Sequence, residues 1–220
     1  MKNKLLTLLL IIASVIAIIT FSIGLPIYLR PFYYAQIEPL DIPDMTGYTA
    51  EQIREGYDEV LDYLTRPGGN FSAGVFRFSE EGASHFADCK GLFNLNLVGF
   101  LISSLVIVLL AVLWKKGKVK FTNPLRLHPV AFSGVATLSL FALIGGVAAL
   151  DFDTAFVVFH SIFFPGKDNW LFDPGTDEII LAMPEEFFMN CAILILSSII
   201  ILSVLLIVFG TRAKRARTGK

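Results

Sequence analysis

Charge is scarce in this sequence, and so are the residues that most often carry catalysis. Asp, Glu, Lys and Arg make up 17% of the 220 residues, histidine occurs three times and cysteine twice. With 55% hydrophobic residues and a mean hydropathy of +0.67, such a chain does not make an ordinary soluble domain. Two cysteines, Cys89 and Cys191, without metal spacing give no disulfide framework and no metal site; buried free thiols are the simpler reading. Familiar catalytic signatures are missing too. There is no Gly-x-Ser-x-Gly elbow, no His-Glu-x-x-His helix and no His-x4-Asp acyltransferase pattern. Glu185-Glu186 lacks the arginine that would follow in a membrane prenyl-peptide protease.

What the sequence does have is four long uncharged runs, at about residues 5–29, 91–114, 127–150 and 187–211. Each exceeds the roughly 20 residues with which a helix crosses a hydrocarbon core of about 30 Å. Only a helix satisfies its own backbone there, so the expected fold is an all-α membrane protein of four transmembrane helices, a single membrane domain over residues 1–220. The first run follows Lys2 and Lys4 as a signal peptide would. It is too long for one and lacks a small-residue cleavage site before Pro26, so it reads as a retained anchor.

The charges that exist are sorted. The N-terminus, the loop from Lys115 to Arg126 and the tail after Thr211 hold 12 of the 18 Lys and Arg and none of the 19 Asp and Glu. These segments are expected on the cytoplasmic side, and residues 30–90 and 151–186, with all 19 acids, outside, forming an extracytoplasmic cap. The tail RAKRARTGK then contacts anionic lipid heads rather than nucleic acid, and no nucleic-acid partner is expected.

Within the first outer segment, Pro31 to Pro43 reads as irregular. Thr49 and Gln52 form a capping box for a helix through Leu64, whose apolar face is Ile53, Tyr57, Val60, Leu61 and Leu64. Phe71 to Phe78 reads as a short strand or extended piece. Ser79-Glu80-Glu81 starts a helix that runs into the second span and carries His85, with Asp88 on the same face to orient or charge-stabilise its imidazole.

The second outer segment holds His160 in a run of aromatics, Phe156, Phe159, Phe163, Phe164, Trp170 and Phe172, in a backbone that Pro165-Gly166 and Asp173-Pro174-Gly175 bend repeatedly. Two imidazoles at one membrane depth make a better proton-transfer site than either alone. His128, beside Pro129 at the start of the third span, reads as an interfacial residue with no catalytic part.

The stretches LDYL at Leu61, FRFSEEGASHFADCKGLF around His85, and FHSIFFPGKDNWLFDPGTDEII through PEEFF around His160 resemble the small four-span bacterial membrane proteins that include the lipoprotein intramolecular transacylases. With the span layout, the resemblance covers nearly the whole chain. It implies four transmembrane helices under a cap in the bacterial cell membrane, and two catalytic histidines that match His85 and His160. The implied reaction moves the sn-2 acyl chain of a diacylated lipoprotein onto the α-amino group of its N-terminal cysteine, giving the lyso form, with no metal or cofactor. Phe159, Phe163, Phe164, Asn169, Trp170 and Phe172 are the expected lining of the substrate pocket. His160 is the preferred general base and His85 the acid or polariser, with the swapped roles left open. The other reading is a non-catalytic membrane subunit whose aromatic cap binds a lipid or a partner protein.

The charge sorting yields a topology test. A reporter fused after Lys220 is expected to report only from the cytoplasm; activity on the outer side alone would remove the outward-facing histidine site.

Overall fold

The structure is a computed structural model that describes residues 3–218. Lys2, Lys220 and the side chains of residues 213–218, which carry most of the basic tail, lie outside the description. The described chain is helical: α1 (Lys4–Tyr28), α2 (Arg30–Tyr34), α3 (Ile42–Thr46), α4 (Ala50–Thr65), α5 (Glu80–Lys115), a 3-10 turn (Pro124–Arg126), α6 (Pro129–Ala148), α7 (Phe152–Phe163), α8 (Ile179–Ala182) and α9 (Glu185–Thr218). Among the described residues, strand pairing is limited to one bridge between Asn3 and Phe121. Four helices, α1, α5, α6 and α9, are long and apolar enough to cross a membrane; α1 and α6 coincide with their uncharged runs to within two residues at each end, and α5 and α9 contain the other two. The chain forms two compact units.

The first unit comprises residues 1–24, 96–149 and 194–220. Its helices approach through small residues, as expected where lipid removes the hydrophobic drive between them and packing must hold them. A Cβ on Gly134 of α6 would lie 2.5 Å from the Ser203 carbonyl oxygen of α9, and one on Gly210 of α9 would lie 2.5 Å from the Ala131 nitrogen of α6. α5 meets α1 through Asn96 Nδ2, which donates to the Thr20 carbonyl at 3.0 Å, and through the Phe21–Phe100 ring pair. At the other end the Asn3 amide donates to Lys120 O at 2.9 Å, and the Thr122 amide to Thr7 Oγ1 at 2.9 Å, beside a cluster of Leu10, Leu110, Val119 and Phe121. His128 caps α6 by accepting from the Val130 amide.

The second unit comprises residues 25–95 and 150–193. Its core stacks Tyr33 on Tyr57 at 3.7 Å, with Phe187 edge-on to Tyr33 at 5.2 Å. The Tyr33 hydroxyl is buried too, and donates to the Ala182 carbonyl at 2.7 Å. α4 begins with the expected capping box: the Gln52 amide donates to Thr49 Oγ1 and the Thr49 amide to Gln52 Oε1. Its apolar face, Ile53, Tyr57, Val60, Leu61 and Leu64, is buried throughout.

Three local expectations change. Residues 31–43 are irregular only between 35 and 41: Pro31 and Pro43 sit in the first turns of α2 and α3, where a missing N–H costs nothing, and Tyr33, Ile37 and Ile42 are drawn into the core. Residues 71–78 form no strand. Gly74, at φ +61°, turns its backbone against Gly56 of α4, and Glu59 accepts from the Gly74 amide and the Ser72 hydroxyl, so a helix takes the place of a partner strand. The aromatic run around His160 is helical up to Phe163, because Asp151 caps α7 by accepting from the Thr154 amide at 3.0 Å; the bends begin after it.

The close approach of α6 and α9 can be tested directly. Gly134→Val and Gly210→Val should each lower the unfolding temperature in detergent, by overpacking worth about 1–3 kcal/mol. Gly146→Val, where a Cβ meets nothing within 4 Å, should be nearly silent.

Candidate active site

The start of α5 is fixed from across the second unit. Asp177, 4% exposed, accepts from the Ser79 amide at 2.8 Å, from the Ser79 hydroxyl, and from the Thr176 hydroxyl at 2.9 Å. Ser79 Oγ in turn accepts from the Gly82 amide at 2.9 Å and caps the helix. Asp177 is held by the preceding turn, where Asp173 Oδ1 accepts from the Gly175 amide and its carbonyl from the Thr176 and Asp177 amides. One helical turn and a half beyond Ser79 comes His85, before the uncharged stretch of α5 that starts at Gly91.

His85 and His160 face each other, ring centroids 5.9 Å apart, at 7% and 8% exposure. His160 lies in the last turn of α7. Phe164 packs on both imidazoles, 4.7 Å from His85 and 5.7 Å from His160. Phe172 meets His85 at 5.5 Å, and Trp170 stacks on His160 at 4.5 Å. Of the other expected lining residues, Phe159 sets its edge against His160 at 5.4 Å while half exposed, and Phe163 packs on Phe159 rather than on either histidine. Phe156, one turn before His160, lies closer than any of these, at 4.2 Å.

Asp88 does not hydrogen-bond His85. Its carboxylate accepts from Lys167 Nζ at 2.6 Å to each oxygen and from Asn169 Nδ2 at 3.2 Å, strapping the loop after α7 to α5. The Lys167 bond is the first cause that holds the Asp88 carboxyl below its ordinary range. The reason is reach: a flexible ammonium in the loop after α7 outcompetes an imidazole held on the same helix. Trp170 Nε1 is spent on the Lys167 carbonyl at 3.0 Å, and Asn169 Oδ1 is buried without a partner. Lys167 and Asn169 also line an open cleft of about 440 Å³.

The protons on the ring nitrogens follow from their partners. His160 Nδ1 is 2.8 Å from the Phe156 carbonyl oxygen, which only accepts, so Nδ1 carries the hydrogen and Nε2 keeps a free lone pair. Burial lowers the His160 pKa, against the pull of that carbonyl. His85 Nε2 lies 3.4 Å from Cys89 Sγ, while its Nδ1 is buried with no partner. Burial, then the neighbouring His160, push its pKa down to about 4, with Asp88 opposing. At neutral pH the pair is therefore uncharged: one base with an open lone pair, beside one ring able to donate. Among the described residues no three His, Cys, Asp or Glu side chains converge as metal ligands. Sequence reading left Cys89 and Lys167 out of the site; the i to i+4 spacing from His85 to Cys89 was the available signal for the first.

The depressed His85 pKa has a signed consequence for stability. The unfolded imidazole takes its proton near pH 6.5 and the folded one only near 4, so the unfolded state binds more protons between these values. Stability is full above about 6.5 and falls as the pH drops toward 4. His85→Gln should shrink the difference in unfolding temperature between pH 7 and pH 4.5; an unchanged difference would contradict the burial of the ring.

Comparison with known proteins places the chain. The profile of the family described as "Lipoprotein intramolecular transacylase Lit" matches residues 8–188. The solved membrane-integral lipoprotein intramolecular transacylase Lit from Bacillus cereus superposes with a TM-score of 0.89 at 26% identity, covering 98% of this chain and 97% of that one. Two variants of that protein, with a histidine replaced by arginine or by alanine, superpose with TM-scores of 0.81 and 0.79, each at 27% identity. The arginine variant covers 98% of this chain and 94% of that one, the alanine variant 96% and 94%. No curated protein sequence matches. The chain is thus a multi-pass membrane protein and belongs to the lipoprotein intramolecular transacylase family.

Proposed function

We propose that this protein moves the sn-2 acyl chain of a diacylated lipoprotein onto the α-amino group of the same molecule's N-terminal cysteine, with His160 and His85 as the proton-handling pair. The observation that carries this reading is the facing pair of buried imidazoles, one with its Nδ1 bound to a carbonyl and its Nε2 lone pair open. Family membership supports the substrate class, and the two solved relatives with a replaced histidine are in line with a histidine site.

The chemistry balances with these groups alone. The amine, with an ordinary pKa of about 8, attacks the ester carbonyl and gives a proton to His160 Nε2. A carbon–nitrogen bond forms, the carbon–oxygen bond to glycerol breaks, and the proton ends on the glycerol oxygen. His85 is neutral at working pH and acts as the polariser, donating a hydrogen bond to the carbonyl oxygen as negative charge develops there. Phe164, Trp170 and Phe172 exclude water, which would otherwise compete with the amine for the ester, and membrane lipid surrounds the acyl chains. The sorted charges support cytoplasmic termini and a site that faces outward.

His85→Ala and His160→Ala should each cut turnover of a purified diacylated lipopeptide by about 100-fold or more, with insertion intact, whereas His128→Ala keeps it. Near-normal turnover in either of the first two removes the dyad. The intramolecular step is checked with an equimolar mixture of heavy and light lipopeptides. Intact masses should stay unchanged, with one fatty acid relocated to the terminal nitrogen. Acyl chains exchanged between the two populations would mean that donor and acceptor are separate molecules.

A further inference from the structure

Cys89 belongs to no step above, yet it touches the site. It sits one helical turn after His85 on α5, and its Sγ is 3.4 Å from His85 Nε2, within range for a sulfur hydrogen bond. The other nitrogen, Nδ1, is buried with nothing on the protein to bond to. Only two arrangements of one proton on this ring are open. With the proton on Nε2, the ring donates to a sulfur that accepts weakly, and Nδ1 presents a bare lone pair. His160 Nε2 already presents one, so the pair would hold two acceptors and no donor. With the thiol donating to Nε2, the proton sits on Nδ1 and the pair holds one acceptor and one donor.

We infer that Cys89 is a positioning residue that donates its thiol hydrogen to His85 Nε2 and so keeps the imidazole proton on Nδ1, the ring nitrogen that has no partner on the protein. The inference rests on the proposed transacylation for its purpose, though not for its geometry. The thiol is suited to the task, because burial and then Asp88 push its pKa up to about 12 and keep the hydrogen on sulfur. The task is also needed: a neutral histidine side chain left to itself favours the proton on Nε2, the tautomer that would leave His85 with no hydrogen to offer the substrate. Which nitrogen carries the proton is set by the bond the other one makes, and Cys89 is the group that makes it. A serine here would divide its hydroxyl between Nε2 and the carbonyl one turn back, as hydroxyls on helices do.

The test uses full-length protein in detergent, with Cys89→Ala, Cys89→Ser and the thiol-free near-isostere Cys89→Val. The ring-nitrogen NMR shifts of 15N-labelled histidine, only three of which occur in the chain, report the tautomer without substrate. The His85 signals are assigned by their loss in His85→Gln. We expect the His85 proton to move from Nδ1 to Nε2 in the Ala and Val variants and partly in Ser. On diacylated lipopeptide, kcat should fall about tenfold in Ala and Val with KM little changed, and less in Ser, because a positioned donor is lost and not a binding contact. An unchanged His85 tautomer in both Ala and Val overturns the inference whatever the activity does. A changed tautomer with wild-type kcat overturns it as well. Because the spectroscopic arm needs no turnover, a failure of the transacylase reading shows itself separately, as wild-type protein that leaves the lipopeptide unaltered.

Discussion

The carboxylate of Asp177 accepts hydrogen bonds from the amide and hydroxyl of Ser79 and from the hydroxyl of Thr176, in a place almost closed to solvent. A buried charge is tolerable only when its lone pairs are filled in this way. The consequence reaches the site through rigid geometry. Ser79 is the cap of α5, so the carboxylate fixes where the helix begins and therefore which way residue 85 points. Gly82 shows how tight the fit is: a Cβ there would fall 2.1 Å from Asp177 Oδ1. The segment that follows α7 is tied down twice, by Asp177 near one end and by Lys167 and Asn169 on Asp88 near the other. Trp170 and Phe172, which lie between these ties, are held against the two imidazoles.

Neutrality of the histidine pair is a product of the same packing. Aromatic faces offer no compensation for a lost hydration shell, so enclosing the rings penalises their charged forms, and the neighbouring His160 adds to that cost at His85. Asp88 is the one carboxylate near His85 that pulls its pKa up, and it is occupied by Lys167. The ion pair thus does two things at once: it straps the loop, and its ammonium opposes the pull of Asp88 on His85. An arrangement with Asp88 free would make a charged His85 easier to form and a neutral donor harder to keep.

Much of this was legible in the sequence, for reasons that differ by element. The four spans follow from run length and the absence of charge, which no tertiary contact can overrule inside lipid. The capping box at Thr49 and the Ser79 start are local rules, and both hold in the structure. The short helices at Pro31 and Pro43 and the absence of a strand over Phe71–Phe78 were harder to read, because these segments settle against what lies across the fold: Tyr33 under Ala182, Gly74 against Gly56. For the same reason sequence spacing places Asp88 beside His85, where its charge does act, but not its hydrogen-bond partner, Lys167, 79 positions away. The aromatic lining divides along that line too. Phe164, Trp170 and Phe172 reach the histidines because the strapped loop folds back, whereas Phe163 shares their sequence neighbourhood and points elsewhere.

A base whose pKa has been lowered is always free to accept a proton at neutral pH but is intrinsically weak, and this shifts the burden of the proposed reaction. Proton transfer to His160 cannot provide a large driving force, since matching of acid and base strength to the operating pH is what general catalysis rewards. The rate must then come mainly from holding the amine and the ester together. In the proposed reaction amine and ester belong to one lipidated cysteine, so the entropy of bringing them together would be spent before binding, and well-oriented intramolecular reactions reach effective concentrations of about 10⁵ M or more. What remains for the protein is to select the one folded shape of a flexible glyceryl tether in which nitrogen and carbonyl carbon touch. Rigid aromatic walls fixed by Asp177 and Asp88 suit that purpose better than a stronger base in a looser site would.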